Sequence, residues 1–69
     1  MEMKNITSSN ISKVGYDPKE NKLRVEFNNG GIWEYQDVSE NKFNEFMGST
    51  SKGSFFHKNI KNSHTAIKI

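Results

Sequence analysis

The fold is decided by one stretch of the chain, VGYDPKENKLRVEFNNGGIWEY, which spans residues 14–35. It contains three runs in which apolar residues alternate with polar ones, the period-two pattern of half-buried β-strands. Two segments rich in turn-forming residues, 17–22 and 28–31, separate these runs. The stretch therefore predicts a three-stranded antiparallel meander.

The second turn sets the register between the last two predicted strands. A two-residue loop would place the large apolar side chains of these strands on opposite faces of the sheet. A three-residue loop, 28–30, instead pairs Val25 with Trp33 on one face. This loop ends in Gly30, which has no Cβ and can adopt the left-handed conformation that closes such loops. We therefore predict the three-residue loop.

The first turn gives a compatible register. Proline at position 18 suits the second position of a type I turn. A four-residue connection, 18–21, then pairs Tyr16 with Leu23. One face of the meander is apolar in this register, and it consists of Val14, Tyr16, Leu23, Val25, Phe27, Trp33 and Tyr35. That face requires a cover.

The residues after the meander predict two short helices that cover the apolar face. Ser39 is predicted to cap the first helix, and Ser51 the second. Their apolar side chains are Phe43, Phe46 and Met47 in the first helix, and Phe56 and Ile60 in the second. Residues 65–69 favour a short C-terminal strand. We therefore predict an α+β fold, a three-stranded antiparallel meander covered on one face by two short helices, in one domain over residues 1–69 with a flexible segment at 1–6.

Length and composition limit the classes of protein. A chain of 69 residues without cysteine is a small single domain that has neither disulfides nor a cysteine-based zinc site. No apolar run approaches the length of a membrane span, and residues 1–10 are too polar for a secretory signal. We expect a cytoplasmic protein with no membrane partner. A domain this small would gain stability by forming a homo-oligomer.

The charges are unevenly distributed along the chain. Residues 1–45 hold all eight carboxylates and six basic residues, whereas residues 46–69 hold four lysines and no carboxylate. A basic C-terminal third favours a phosphate-bearing partner, because lysines displace counterions from a polyanion. The same lysines would also keep the outer face of a small helix soluble. Both interpretations are consistent with the sequence.

The start of the second helix is the sharpest local candidate for a binding site. Unpaired backbone N–H groups at a helix start attract anions, and glycine allows a ligand to approach the backbone closely. The segment lacks the Gly-Lys-Ser/Thr order of a nucleotide-binding phosphate loop. An ordinary capped helix would explain the same residues. The predicted phosphate-binding set comprises Ser51, Lys52, Gly53, Ser54, Phe55, Lys58 and Lys61.

Aromatic stacking and catalysis have weaker support. The predicted register favours core positions for Trp33 and Tyr35 over base-stacking roles, which leaves Phe55 as the better candidate for an exposed ring. His57 and His64 have no carboxylate near them in sequence, so we expect no metal site. No nucleophile is paired with a base, so we expect a protein that is not an enzyme and needs no cofactor.

Several motifs in this order and spacing resemble the KTSC domain family. They are Thr7–Ile11, Val14–Asp17, Leu23-x-Val25-x-Phe27-x-x-Gly30, Trp33-Glu34-Tyr35 and Ser51–Phe56. The family occurs at the C-terminus of some lysyl-tRNA synthetases and as small free-standing bacterial and phage proteins. The family's central motif is Tyr-x-Tyr, and Trp33 here replaces the first tyrosine. The resemblance implies RNA binding through the association with synthetases.

Two functions from different classes remain open. The first is a non-catalytic module that binds RNA or single-stranded nucleic acid, with binding that weakens steeply as salt rises. The second is a small free-standing protein, encoded by a phage or a bacterium, that sequesters a nucleotide signal or inhibits a host protein through an oligomer interface. The second function predicts milder salt dependence and a ligand enclosed between subunits.

Overall fold

A five-stranded antiparallel sheet forms the centre of the computed structural model, which describes residues 2–69. The elements are β1 (Met3–Asn5), β2 (Ile11–Asp17), β3 (Lys22–Phe27), β4 (Ile32–Tyr35), α1 (Glu40–Gly48), α2 (Lys52–Phe56), a π-helical turn (His57–Lys61) that continues α2, and β5 (Ala66–Lys68). The spatial order of the strands is their order in the chain.

The predicted registers of the central meander are confirmed. Tyr16 faces Leu23 across β2 and β3, and Val25 faces Trp33 across β3 and β4. Gly30 has a φ of 92°, so the three-residue loop closes in the left-handed region as predicted. Loop length and the pleat together determine these registers, because a shift of one residue would turn every apolar side chain to the other face.

The prediction of three strands is incomplete, because one strand is added at each edge. Met3–Asn5, within the segment predicted to be flexible, pairs antiparallel with β2, while Met1 lies outside the described residues. The predicted C-terminal strand is present as β5 and pairs with β4. Polar β1 has no alternating pattern, because edge pairing through the backbone does not require one.

The helices cover the predicted face of the sheet. The fully buried side chains include Val14, Leu23 and Val25 from the strands and Phe46 and Ile60 from the helical segment. Burial of these groups is the main stabilising contribution, at about 1.5–3 kcal/mol for each large aliphatic or aromatic side chain. The core therefore lies between one face of the sheet and the two helices.

The two predicted helix caps differ. The Ser39 hydroxyl accepts a hydrogen bond from the Lys42 backbone N–H at 3.1 Å, as predicted. Ser51 precedes α2, but its side chain makes no capping hydrogen bond. Instead, the backbone N–H of Ser51 donates to the Ser49 hydroxyl at 3.2 Å. The predicted N-cap position of Ser51 is therefore confirmed, but its side chain makes no capping hydrogen bond, and Ser49 organises the connection between the helices.

An aromatic stack joins α1 to the sheet. The rings of Tyr16 and Phe43 are 4.6 Å apart and nearly parallel. The Tyr16 hydroxyl donates to the Val38 carbonyl at 2.5 Å. Burial, followed by the nearby carboxylates Glu40 and Asp17, raises the pKa of Tyr16, which keeps its hydroxyl a donor. This contact fixes the position of α1 on the sheet.

Candidate functional site

The start of α2 is built differently from the predicted phosphate site. The Lys52 ammonium donates to the Ser49 carbonyl at 3.2 Å, which draws its charge back onto the connection between the helices. Ser51 and Ser54 are exposed. Lys52 is therefore placed to stabilise the loop.

Gly53 has a packing role at this position. A Cβ placed on Gly53 would lie 3.1 Å from the Ser8 hydroxyl oxygen, so the loop before β2 occupies the space next to the glycine. An alanine here would require the Ser8 hydroxyl to move by a few tenths of an ångström. The space next to Gly53 that we predict for a ligand is thus partly filled by the Ser8 side chain.

Phe55 is part of the fold. Its ring lies 6.1 Å from that of Phe46 in a tilted arrangement, and its side chain is half-buried against the core. The ring is thus supported on one side by α1. The last two members of the predicted phosphate-binding set, Lys58 and Lys61, lie on the π-helical turn that follows α2.

Lys61 lies beside an open groove that we call the tryptophan groove, with a volume of about 400 Å³. Its lining residues are Phe27, Asn29, Trp33, Tyr35, Lys61 and Ala66. The groove combines aromatic rings, a side-chain amide and an ammonium group, and its lining includes no carboxylate among the described residues. Lys58 is also exposed, three residues earlier, and is not part of this lining.

Three strands position Trp33. It faces Val25 on β3 and Lys68 on β5, on the side of the sheet that carries the core. The cover by the helices ends before Trp33, so the indole is half-buried while Tyr35, two residues on, is only 4% exposed. The predicted register of Trp33 is confirmed. The prediction that Trp33 is a core residue describes only the buried part of the indole.

The turn after β3 forms one wall of the groove. The Gly31 N–H donates to the Asn29 side-chain oxygen at 2.9 Å, which fixes the amide group of Asn29. A Cβ on Gly31 would lie 3.2 Å from the Asn29 side-chain oxygen, so the glycine leaves room for this oxygen beside the backbone. The same Cβ would lie 3.7 Å from the Trp33 indole nitrogen, an ordinary van der Waals distance. With its oxygen engaged, the Asn29 amide presents its N–H donors.

Two further depressions extend the tryptophan groove toward α2, and each shares Phe27 and Lys61 with it. One reaches Asn10, and the other reaches both Asn10 and Gly53. The Phe27 ring is held by an edge contact with Phe56 at 5.7 Å. A continuous surface track thus runs from Trp33 past Lys61 to Gly53.

The opposite face of the sheet is dominated by ion pairs. The Arg24 guanidinium donates to the Glu34 carboxylate at 2.9 Å, and the Lys22 ammonium lies 3.9 Å from the same carboxylate. The hydrogen bond from Arg24 is the main cause of a lowered pKa at Glu34. The Glu34 carboxylate is thus engaged by two cations, so we assign this ion-pair cluster a structural role.

We also searched residues 2–69 for metal-binding clusters and for membrane-spanning helices. Within residues 2–69, no three histidine or carboxylate side chains lie close enough together to hold a metal ion. None of the helices in the same part of the chain has the length and apolar character to cross a membrane.

The predicted set includes Lys61 but not the other residues that line the tryptophan groove with it. Phe27, Asn29 and Trp33 were assigned to the core and to a turn, because the two-residue period identifies a face but not its exposed edge. One signal was available in the sequence. Two helices of these lengths are too short to cover a whole sheet face.

The chain is similar to proteins from several bacteria. The KTSC domain family matches residues 7–64. An uncharacterised protein of Stutzerimonas stutzeri is 30% identical over 59 residues, which cover 86% of this chain and 83% of the relative. A protein of Tsukamurella paurometabola is 30% identical over 67 residues, which cover 97% of this chain and 100% of the relative.

A crystal structure of a KTSC domain protein from Yersinia pestis has the same fold. It superposes with a TM-score of 0.95 at 35% identity, covering 99% of this chain and 96% of that protein. The family match extends from the loop before β2 to the residue before Thr65, and thus includes the central meander and both helices. The chain belongs to the KTSC domain family.

Proposed function

We propose that this protein is a non-catalytic module that binds RNA or another single-stranded nucleic acid through the tryptophan groove. The observation that carries the proposal is that a half-buried indole and an exposed lysine line one open groove. Aromatic rings stack on unpaired bases of any sequence, and lysine neutralises the adjacent phosphates. In this proposal the protein works in the cytoplasm.

The shape of the groove supports a strand over an enclosed small ligand. The groove is open to solvent and continues as a track over Phe27 toward Asn10 and Gly53. A strand bound along this track would place a base on Trp33 and its phosphates near Lys61. Duplexes are disfavoured in this proposal, because their bases are stacked on one another and cannot reach a ring in a groove.

The protein's single tryptophan makes the proposal directly testable. We expect single-stranded RNA oligonucleotides to quench the fluorescence of Trp33 in a saturable titration at low salt, because the base would contact the indole. A duplex of the same length should quench weakly. Absence of quenching, together with unchanged anisotropy of a labelled RNA at high protein concentration, would contradict the proposal.

Lys61 and Lys58 form a matched pair for this experiment. Lys61→Glu and Lys58→Glu make the same charge change on two exposed residues of one π-helical turn, but only Lys61 lines the groove. We expect Lys61→Glu to weaken RNA binding about tenfold, in line with the loss of a close phosphate contact. Lys58→Glu should weaken it much less. Equal losses would show that general charge, and not the groove, determines binding.

The sequestration of a nucleotide signal is the second candidate function. It is favoured by the position of the groove next to Ala66 of β5, at the edge of the sheet, where a second subunit could close it. A mononucleotide that binds as tightly as a longer strand would select this function. A single nucleotide makes fewer phosphate contacts, so the RNA proposal expects it to bind more weakly.

A further inference from the structure

Two exposed isoleucines mark one edge of the sheet. Ile67 is 54% exposed and Ile69 is 58% exposed, and they are the only large hydrophobic side chains classed as exposed in the described part of the chain. Ile67 faces Glu34, which places it on the side of the sheet away from the helices. The Ile69 N–H donates to the Ile32 carbonyl at 2.9 Å, so a third isoleucine lies beside them.

β5 is an edge strand with unpaired backbone groups. It pairs with β4 on one side and is last in the strand order. The Thr65 carbonyl and the Ile69 N–H bond toward β4. Because antiparallel strands alternate the direction of these groups, the N–H and C=O of Ala66 and Lys68 point away from the sheet.

The opposite edge is protected in the usual way. On β1, Lys4 and Asn5 are exposed, and such polar side chains discourage another strand from pairing. β5 also carries one exposed lysine, Lys68, but Ile67 and Ile69 make its other face apolar, and an apolar face on an edge strand favours pairing. The contrast between the two edges identifies β5 as the surface for a partner.

We propose that β5 pairs antiparallel with β5 of a second copy of this chain, about a two-fold axis at Ile67. Ala66 and Lys68 then exchange backbone hydrogen bonds with Lys68 and Ala66 of the partner subunit. Ile67 lies directly opposite Ile67 of the partner subunit, in the closer, non-hydrogen-bonded type of pair. The two five-stranded sheets become one continuous sheet.

Charge repulsion favours the register with its axis at Ile67 over the register shifted by one residue. An axis at Lys68 would place two ammonium groups directly opposite each other, which is unfavourable. The axis at Ile67 places each lysine opposite an alanine and brings the apolar side chains together. The contact is self-complementary, as a two-fold interface requires.

The interface is small compared with that of a permanent dimer. β5 has three residues, including Ile67, and is followed by Ile69. Together they cover less than the roughly 800 Å² per subunit of a standard interface. We therefore expect a dimer that dissociates on dilution. Both partners present the same apolar edge, so no other protein is needed to cover it.

The pairing also changes the tryptophan groove. Ala66 lines this groove, and the proposed register places Lys68 of the partner subunit opposite Ala66 on the same face. Each groove would therefore gain one ammonium group from the other copy. This consequence rests on the proposed function, whereas the pairing itself does not.

Cysteine cross-linking tests the register, because the chain contains no native cysteine. In the full chain, Ile67→Cys places two thiols opposite each other across the axis, at the short separation that a disulfide needs. Asn5→Cys is a matched control on the exposed outer face of β1, and Lys68→Cys tests the neighbouring register. Under mild oxidation we expect Ile67→Cys to form disulfide dimer about tenfold faster than either control, since only it pairs with itself.

Sedimentation velocity tests the pairing without cysteine. We expect the wild-type chain to change from monomer to dimer between about 10 µM and 1 mM, the range of a small interface. Ile67→Lys should remain monomeric and folded, because Ile67 is exposed in the monomer. The control is circular dichroism, which measures whether the Ile67→Lys variant retains its fold.

Two results would overturn the proposal. The first is a wild-type chain that stays monomeric through this range, with Ile67→Cys cross-linking no faster than Asn5→Cys. The second is preferential cross-linking of Lys68→Cys, which would contradict the register. RNA titrations of the monomeric Ile67→Lys variant separate the two proposals. If the proposed RNA-binding function is correct, RNA bound in the groove of one subunit would still quench Trp33 fluorescence.

Discussion

Trp33 has two roles in the structure, and a substitution should affect both. Its ring packs partly against the core and is partly open to the groove. We expect Trp33→Ala to lower the free energy of unfolding by about 1–3 kcal/mol, less than for a fully buried tryptophan. Urea denaturation followed by circular dichroism measures this loss.

The same substitution tests binding. Trp33→Ala should weaken RNA binding by about 1–3 kcal/mol, the typical contribution of one stacked base. Trp33→Tyr is the control, because tyrosine is the residue that the family motif places here and it keeps a stacking ring. Titration of a labelled RNA by anisotropy measures both variants. A folded Trp33→Ala protein with unchanged affinity would remove Trp33 from the site.

Glu34 should make the stability of the protein depend on pH. The hydrogen bond from Arg24 lowers the pKa of Glu34 in the folded state. The stabilisation is therefore present above the pKa of glutamate in the unfolded chain, about 4.3, and is lost as pH falls through the lower folded value. Glu34→Gln should remove this part of the acid destabilisation.

Urea unfolding at neutral and acidic pH measures this effect. The difference in unfolding free energy between the two pH values should be smaller in Glu34→Gln than in wild type. Glu26→Gln, on the same face of β3, is the control for removing a carboxylate. If both variants lose the same pH dependence, the Arg24 pair is not its cause.

At the scale of the elements, a hydrogen-bonded histidine connects the C-terminal segment to the rest of the fold. His64 Nδ1 lies 3.0 Å from the Gln36 carbonyl, and His64 Nε2 lies 3.2 Å from the Lys42 ammonium. A carbonyl only accepts, so Nδ1 carries the proton and Nε2 accepts from Lys42. The Lys42 ammonium also donates to the Asn59 carbonyl at 3.2 Å.

We expect His64→Ala to destabilise the protein by about 1–2 kcal/mol, through the loss of these hydrogen bonds. Because His64 immediately precedes the segment that forms β5, hydrogen exchange should increase first in β5. His57→Ala, at an exposed histidine, is the matched control and should change neither quantity. Equal exchange in the two variants would show that β5 is held by its pairing with β4 alone.

The length of the helical elements determines where the groove lies. α1 and α2 place Phe46 and Phe56 over the middle of the sheet, and both are buried. The cover ends before Trp33 and the turn that contains Asn29. The groove is thus the uncovered end of the same sheet face that forms the core.

At the scale of the whole molecule, the separation of charge should control RNA affinity. The four lysines of residues 46–69 are accompanied by no carboxylate in that part of the sequence. Lys61 lines the groove and Lys68 faces Trp33 across β4 and β5. If each contacts one phosphate, log K for single-stranded RNA should fall with log salt at a slope of about −1.4.

Titrations at several salt concentrations measure this slope. Lys61→Glu should make the slope shallower by about one contact, or roughly 0.7. Lys52→Glu should leave it nearly unchanged, because the Lys52 ammonium is engaged with the Ser49 carbonyl. A slope near zero for the wild type would exclude phosphate contacts as the source of affinity.

Local sequence specifies the central part of the fold. The two-residue period, the three-residue loop at Gly30 and the Ser39 cap specified the registers of β2, β3 and β4 and the start of α1. These features depend on contacts between residues that are close in sequence, where turn geometry and the alternation of side chains leave few alternatives.

The edges of the sheet and the composition of the groove depend on packing between segments that are distant in the chain. β1 pairs through its backbone with little apolar pattern, and Lys61 lines the same groove as Trp33 although the two residues are far apart in sequence. Neither relation leaves a periodic signal, because each depends on where other elements end. The exposed part of Trp33 is the clearest case: its pleat position follows from local sequence, but its cover depends on the packing of two helices.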